Sequence, residues 1–311
     1  MPNRPVDDKG FTPVMALARQ FIRQYAFPYL LLAPSLLAIG LIALYPFLQT
    51  IWTSLHRASL ILPDSTFIGP GNFRRLIQDD GFWNAWTNTL YFTVVTVLFE
   101  TILGFAIATA LNRDFRGRAL VRAAVLIPWA IPTVVSSRLW GLIFNTDAGL
   151  ANYLLTSTRI MSADQNWLGN PSLAINVAAI VDIWKTTPFM ALILLAGLQT
   201  IPGELYEAAA IDGASFLDRL LHITLPMIAP VLLVAMLLRT LDAFRVFDVI
   251  YVMTGGGPAD STEVLSTLTY KVFFSATQFG YGSALAVAMF VSVLLLSAGF
   301  LFFLRNKLEV G

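Results

Sequence analysis

The sequence predicts an all-α membrane protein with six transmembrane helices. Of its 311 residues, 57% are hydrophobic and 13% are charged, whereas charged residues are about 25% of an ordinary soluble domain. Six apolar stretches are also long enough to cross a bilayer, which takes about 20 helical residues. These predicted spans are 27–55, 86–111, 119–144, 173–200, 227–252 and 283–304.

The first apolar stretch is expected to stay in the mature chain as an anchor. It starts late, is longer than the core of a signal peptide, and has no small-residue cleavage pattern after it. In the preceding residues 1–26, apolar positions such as Leu17 and Phe21 recur at helical spacing, with Arg19 and Arg23 between them. This pattern predicts an interfacial helix on the cytoplasmic surface, or equally an inward extension of the first span.

The distribution of basic residues predicts that both termini are cytoplasmic. With this orientation the inner segments hold eleven Lys and Arg and the outer segments hold five, as the positive-inside rule requires. The strongest evidence is the short segment NRDFRGRALVR, which carries four arginines. The sequence therefore predicts a multi-pass protein of a cytoplasmic membrane.

The connecting segments are too short to form separate domains. The outer segment 59–80 contains a Pro/Gly turn followed by a short amphipathic piece, and the outer segment 145–171 has the composition of a polar loop. No internal repeat is found. We therefore predict one membrane domain, 27–305, with a cytoplasmic loop at 201–225 and a short cytoplasmic tail at 306–311.

The cytoplasmic loop 201–225 begins with a predicted short helix. Pro202 and Gly203 lead away from the fourth span. Glu204 and Glu207 then fall in the first turns, where carboxylates interact favourably with the positive end of the helix dipole. Small alanine side chains on this helix allow close approach by a partner, and the acidic edge suits basic groups on that partner.

A glycine turn and a second short helix complete the prediction for this loop. Gly213 is placed to end the first helix in the left-handed conformation. Ser215 and Asp218 form an S-x-x-D capping pattern for a second helix that stops before Pro226. The alternative is that this helix–turn–helix is only a solvated connector between two spans.

This loop resembles the EAA motif of permease subunits of binding-protein-dependent ABC importers. The resemblance is carried by the spacing of Glu207, Ala209, Gly213, Ile223 and Pro226. It implies the type I permease fold and a coupling loop that docks on an ATPase subunit. The implied contact and hinge residues are Glu204, Glu207, Ala208, Ala209, Asp212, Gly213, Ala214 and Ser215.

Other segments are similar to the carbohydrate-uptake branch of that family. They are FIGPGNFRRL, IVDIWKTTPFMALILLAGLQTIP and RTLDAFRVFDVIYVMTGGGPADSTEVLSTLTY. The resemblance implies a bacterial or archaeal transporter for a di- or oligosaccharide such as trehalose or maltose. The implied partners are a second permease, two ATPase subunits that hold ATP and Mg²⁺, and an extracytoplasmic binding protein.

Charged residues within the predicted spans are candidates for the substrate pathway. Ionisable groups at membrane depth are costly and usually pair or line a cavity. Residues 239, 242, 245 and 248 alternate in sign at three-residue spacing, so they can neutralise one another along one helix. Such a ladder is either structural or in contact with substrate. The candidate pathway residues, with possible aromatic stacking faces, are Asp182, Trp184, Lys185, Arg239, Asp242, Phe244, Arg245, Phe247, Asp248 and Tyr251.

The sequence offers no motif for chemistry in this chain. It lacks a GxxxxGK[ST] phosphate loop, has two histidines without metal-ligand spacing, and has no cysteine. We therefore expect no enzyme activity, no metal or cofactor, and no nucleic-acid partner. Glu100 and Arg138 are isolated charges in the second and third spans, to which the sequence assigns no role.

Two transporter mechanisms are compatible with the sequence. The first is an ATP-driven permease subunit that forms the pathway with a second permease. The alternative is an ion-coupled secondary transporter with Asp182, Asp242 or Asp248 as the ion site, which would be supported by inverted repeats. No such repeat is found, and the alternative leaves the Gly213 turn unexplained. A purely structural membrane component is disfavoured by the charges within the spans.

Overall fold

The computed structural model describes residues 28–61 and 65–308. Among these residues the chain is almost entirely helical, with one two-stranded antiparallel hairpin that pairs His56 with Phe67. The predicted interfacial helix within residues 1–26 lies outside the described residues. In chain order the elements are α1 (Pro28–Ser54), β1 (His56–Arg57), β2 (Thr66–Phe67), α2 (Gly71–Ile77), α3 (Asp80–Asn112), α4 (Arg118–Ala130), α5 (Thr133–Ile143), α6 (Leu150–Ser157), α7 (Pro171–Leu198), α8 (Gly203–Ile211), α9 (Phe216–Phe244), α10 (Asp248–Met253), α11 (Leu265–Tyr270) and α12 (Phe279–Leu308).

The chain divides into two units, 1–52 and 53–311. The described part of the first unit is residues 28–52 of helix α1, which contains a π-helical turn at Gly40–Leu44. Its leucines are mostly exposed, as expected for a helix whose surroundings are lipid or other membrane helices. The second unit holds the remaining elements and is described from here on.

The predicted spans are largely confirmed by the helices. Within the described residues, α1, α3, α7, α9 and α12 are each long and apolar enough to cross a membrane. The third predicted span differs, because α4 and α5 meet at an angle of 88°. The break has a local cause: Ile131 precedes Pro132, which disfavours helical backbone at Ile131, and that residue is extended.

The fifth predicted span, 227–252, is wrong at both ends. Helix α9 begins at Phe216 and ends at Phe244, and a separate helix α10 begins at Asp248. The backbone between them leaves the helical ladder, and the Val246 carbonyl instead accepts a hydrogen bond from the Ser266 hydroxyl. A hydrogen bond from another segment of the same chain therefore stabilises the break.

The core lies where α3 packs along α7. Gly104 makes this contact close, since a Cβ at that position would lie 2.7 Å from Met190 Cγ, and small residues commonly permit such approach between membrane helices. Apolar side chains form three buried clusters along the unit. Phe92, Leu194 and Leu285 are fully buried representatives of these clusters.

The outer segments are more structured than the sequence predicts. Helix α2 confirms the amphipathic piece predicted within 59–80, and the Asn72 amide anchors it by donating to the Ser54 and His56 carbonyls at 2.8 and 2.9 Å. The region 145–171, predicted as a polar loop, contains helix α6. Asn152 holds it in place by hydrogen bonds to Thr146, Gln165 and Trp167.

Candidate functional site

The loop 201–225, named the coupling loop here after the role that its sequence resemblance implies, contains the predicted helix and glycine turn. Helix α8 ends in a Schellman motif: the Ala214 N–H donates to the Ala209 carbonyl at 2.9 Å, and the Gly213 N–H donates to Ala210 at 3.2 Å. Gly213 has φ +75°, a conformation that other residues adopt at a cost. The turn therefore depends on glycine at this position.

The second helix of the loop starts as predicted but does not stop. Ser215 and Asp218 form a reciprocal capping box, with the Asp218 N–H 3.2 Å from Ser215 Oγ and the Ser215 N–H 3.0 Å from Asp218 Oδ2. The predicted end before Pro226 is wrong. A wide π-helical turn at Leu220–Thr224 precedes Pro226, and the helix continues through it as α9.

The exposed surface of the coupling loop combines apolar and acidic side chains. Ile211 is 86% exposed and Phe216 is 59% exposed, so the loop presents apolar surface that a docking partner would cover. Glu204, Glu207 and Asp212 are exposed on the same loop. The two helices are joined by a hydrogen bond of 3.0 Å between the Tyr206 and Thr224 hydroxyls. This surface has the chemistry of a protein-docking site.

A buried charge cluster, made of Glu100, Asp182 and Arg239, joins three helices. Arg239 on α9 makes a bidentate ion pair with Glu100 on α3, with Nε–Oε2 at 2.6 Å and Nη2–Oε1 at 2.8 Å. Its Nη2 also lies 3.3 Å from Asp182 Oδ2 on α7. All three side chains are buried, and the Glu100 side chain is fully so.

Neighbouring groups complete the hydrogen bonding of this cluster. The Thr186 hydroxyl lies 2.5 Å from both Glu100 Oε1 and the Asp182 carbonyl oxygen. A buried ion pair offsets its desolvation cost only when such extra hydrogen bonds satisfy the remaining atoms. The cluster therefore holds α3, α7 and α9 in one specific arrangement.

A polar pocket of about 370 Å³ opens beside the buried charge cluster. Its lining includes three cations, Lys185, Arg239 and Arg245, and three carboxylates, Asp182, Asp242 and Asp248. Lys185 Nζ donates to the Trp129 carbonyl at 3.3 Å. Asp242 lies between two arginines, 2.9 Å from Arg245 Nη2 and 3.7 Å from Arg239 Nη1. The pocket thus offers many donors and acceptors without a net charge.

Four aromatic side chains, here named the aromatic ledge, adjoin this pocket. Phe247 lines the pocket and stacks on Tyr251, with ring centroids 5.1 Å apart and ring planes 14° apart. Tyr270 contacts both rings, and Phe274 follows 5.0 Å from Tyr270. Interaction with the neighbouring Tyr251 hydroxyl raises the pKa of the Tyr270 hydroxyl above its ordinary value.

Most of the second unit matches a known protein family. A family model described as the binding-protein-dependent transport system inner membrane component matches residues 100–307. The chain belongs to this family. It is accordingly a multi-pass membrane permease of a binding-protein-dependent transport system.

The permease is similar to sugar-transport permeases along most of its length. It is 46% identical over 272 residues to the trehalose/maltose transport system permease protein MalF of Thermococcus litoralis, covering 88% of this chain and 91% of that protein. It is 41% identical to the trehalose transport system permease protein SugA of Mycobacterium tuberculosis, covering 92% and 91%. It is 39% identical to the sulfoquinovosyl glycerol transport system permease protein SmoG of Agrobacterium fabrum, covering 89% and 90%.

A solved structure supports the expected fold. The permease superimposes with a TM-score of 0.80 on a chain from a bacterial ABC transporter involved in the import of alginate, at 23% identity, covering 93% of this chain and 98% of that chain. The expected fold of ABC importer permeases is therefore confirmed.

The pocket unites most of the predicted pathway residues of the permease, and the predicted charge ladder is confirmed for three of its four residues, because Asp242 pairs with both Arg239 and Arg245. Arg239 pairs mainly with other helices, and Asp248 belongs to α10 because α9 has already ended. Phe244 is 1% exposed and packs in the core, and Trp184 packs edge-on against Trp140, so neither lines the pocket. The predicted residues that line it are Asp182, Lys185, Arg239, Asp242, Arg245, Phe247 and Asp248.

Glu100 has a structural role that the sequence did not predict. This carboxylate makes the shortest contacts of Arg239 in the permease. The available signal was a lone carboxylate in the second span and an arginine within the fifth, since ionisable groups in membrane segments tend to find one another. Thr186 gave no such signal, because a hydroxyl alone does not require an ionic partner.

Proposed function

We propose that this permease forms, with a second permease, the pathway of an ATP-driven importer for a carbohydrate such as trehalose or maltose. The observation that carries the proposal is the 46% identity over 272 residues to a trehalose/maltose permease. An extracytoplasmic binding protein would deliver the sugar. A solved relative, the alginate transporter, has been crystallised with such a periplasmic protein.

ATP hydrolysis takes place in separate ATPase subunits under this proposal. The coupling loop is their contact: α8 and the Gly213 turn present exposed apolar groups beside Glu204 and Glu207. The residues proposed for this contact are Glu204, Glu207, Ala208, Ala209, Asp212, Gly213, Ala214 and Ser215. Nucleotide binding would favour one of two global states of the transporter, which is how ligand energy drives alternating access.

The polar pocket is the proposed sugar site in this chain. A sugar needs convergent hydrogen-bond donors and acceptors with apolar faces nearby. The pocket provides Lys185, Asp242 and Arg245 beside Phe247. Three cations and three carboxylates line the pocket, and Glu100 behind them pairs with Arg239, so no surplus positive charge favours an acidic sugar over an uncharged one.

The membrane orientation is part of the proposal. Both termini are cytoplasmic, with the coupling loop and the four-arginine segment on the same side. The membrane domain spans 27–305, with a cytoplasmic segment before it and a short tail after it. ATP and Mg²⁺ belong to the partner ATPases, and no cofactor is proposed for this chain.

Gentle purification from the native membrane tests this function. Mass spectrometry should identify a second permease and an ATPase with a phosphate loop in the purified complex. Proteoliposomes of that complex, with the binding protein outside and ATP inside, should accumulate labelled trehalose or maltose. A chain that purifies alone and transports under an ion gradient would contradict the proposal and make Asp182 and Asp242 the first candidates for an ion site.

A further inference from the structure

Two adjoining cavities lie between the end of α3 and the start of α9, and they share no lining residue with the polar pocket. The first, of about 300 Å³, has Asn112, Arg113 and Arg219 in its lining. The second, of about 640 Å³, is lined mainly by apolar side chains of both helices, such as Phe105 and Leu220. Arg113 and Leu220 line both cavities, so the two form one groove, here named the α3–α9 groove.

The polar end of the α3–α9 groove carries positive charge that this chain does not neutralise. Arg113 is exposed and Arg219 is half-buried, and neither forms an ion pair within the described part of the chain. The Arg219 Nε instead donates to the Ser215 carbonyl at 3.4 Å. Among the described residues of the lining, Asp114 is the only carboxylate, and it pairs with Arg118. The groove therefore suits an anion.

The apolar end of the α3–α9 groove reaches membrane depth. Phe105, Ala106 and Ala110 lie in the predicted second span, and the two alanines are exposed. Ala106 precedes Arg113 by seven residues, which is about 10 Å along a helix axis. A soluble partner can reach Arg113, but it cannot follow the groove into the hydrocarbon layer. A phospholipid separates its phosphate from its acyl chains in the same way, so it matches both ends of the groove.

Helix α4 adds features that are expected at the level of lipid headgroups. The segment after α3 also holds Arg116, Arg118 and Arg122, and Leu120 on α4 is 76% exposed. The Arg122 Nη2 donates to the Leu111 carbonyl at 3.1 Å, which holds α4 against the end of α3. Helices that combine basic and apolar side chains in this way lie in the interface of anionic membranes. The end of α3 therefore belongs at headgroup level.

We propose that the α3–α9 groove binds one anionic phospholipid, with its phosphate on Arg113 and Arg219 and an acyl chain along Ala106 and Ala110. Basic pockets between membrane helices on the cytoplasmic side are typical sites for anionic headgroups. The bound lipid joins the end of α3 to the start of α9, next to the coupling loop. This inference rests on the proposed membrane orientation and does not depend on which sugar is transported.

Native mass spectrometry of the complete transporter complex tests the recognition of charge. The complex is delipidated in detergent and titrated with phosphatidylglycerol, or with phosphatidylcholine that has the same acyl chains. Wild type should bind phosphatidylglycerol at least fivefold more tightly. Arg113→Gln should lower this affinity about fivefold, the weight of one basic residue beside an anionic lipid, and Arg219→Gln should lower it similarly. Arg159→Gln is the matched control, because Arg159 is exposed and lies after α6, away from the groove.

A second substitution tests the apolar part of the groove. Ala106→Phe fills the groove without changing its charge, and it should weaken the binding of phosphatidylglycerol at least fivefold. Ala119→Phe is the control, because Ala119 is exposed on α4 but does not line the groove. It should leave the affinity unchanged.

Four outcomes would overturn the lipid site. They are equal affinity of wild type for the two lipids, equal affinity of Arg113→Gln and Arg159→Gln for phosphatidylglycerol, release of the second permease by Ala106→Phe, and binding by the isolated chain but not by the complex. The third would make the groove a subunit contact, and the fourth would mean that a partner covers it. The titration needs neither sugar nor ATP, so its failure leaves the proposed transport function standing. A chain that purifies without partners would contradict that function and can still be titrated with lipid.

Discussion

The buried charge cluster and the coupling loop differ in where their side chains find partners. In the cluster, Arg239 satisfies two carboxylates from other helices, and all three side chains are buried. In the coupling loop, backbone caps are satisfied locally, while Ile211 and Phe216 remain exposed. The cluster is complete within one chain, whereas the loop leaves apolar side chains uncovered, as expected if a partner docks there under the proposed function. Substitutions in the first should therefore affect folding, and substitutions in the second should affect assembly and transport.

Arg239→Met should have the largest effect. It leaves the fully buried Glu100 carboxylate without its cation, and breaking a buried ion pair in this way costs about 3–5 kcal/mol. Thermal melting of the purified permease in detergent, followed by size-exclusion chromatography, measures the loss. Arg245→Met is the control: its pair with Asp242 is exposed and is worth about 0–1 kcal/mol. Equal melting temperatures of the two variants would show that the cluster does not stabilise the fold.

Gly213→Pro should abolish transport while the membrane domain stays folded. Proline holds φ near −65°, which is incompatible with φ +75° at this turn. We expect loss of the ATPase subunit on copurification and loss of ATP-driven uptake. Gly117→Pro is the matched control, since Gly117 also has positive φ, at 86°, but lies before α4. A Gly213→Pro complex that still transports normally would rule out the coupling role of the turn.

Ser215→Ala should have a smaller, local effect. It removes one half of the capping box and should destabilise the start of α9 by about 1 kcal/mol. Hydrogen exchange should become faster at the amides of the first turn, and uptake should fall modestly. Ser157→Ala, at the exposed end of α6, should leave exchange in the coupling loop unchanged. Unchanged exchange in Ser215→Ala would mean that the cap does not hold this turn.

Asp242→Asn should have the smallest effect on stability and a selective effect on transport. The side chain is half exposed, so its pairs with Arg239 and Arg245 contribute little, and we expect a change below about 0.5 kcal/mol. Uptake should fall several-fold because the lining of the pocket changes, with the ATPase retained. Asp114→Asn, an exposed carboxylate paired with Arg118, is the control. Release of the ATPase by Asp242→Asn would contradict the separation of pocket and loop.

Local patterns made the spans and the coupling loop predictable from the sequence. Hydropathy marks a membrane helix within its own residues, and Gly213, Ser215 and Asp218 define their turn and cap within six positions. The break at Pro132 was also available locally, because the residue before proline avoids helical backbone. It was missed because the apolar composition continues through it.

The buried charge cluster was not predictable in the same way. Glu100 and Arg239 are 139 positions apart, and their contact exists only because α3, α7 and α9 pack together. The charge ladder was predictable only in part for a related reason. Spacing along one helix gives the pairs of Asp242 with Arg239 and Arg245, whereas the closer partners of Arg239 come from two other helices. The break after Phe244 likewise involves another segment, because the Ser266 hydroxyl donates a hydrogen bond to the Val246 carbonyl.

The continuity of α9 has a mechanical consequence. One helix of 29 residues runs from the Ser215 cap to Phe244, which at 1.5 Å per residue is a rod of about 40 Å. Arg239 lies near its far end, so a small tilt imposed at the Ser215 end would swing the guanidinium against Glu100 and Asp182. The π turn at Leu220–Thr224 and Pro230 inside the helix both interrupt its regular hydrogen bonding, so these two sections would set how much of an applied tilt reaches Arg239.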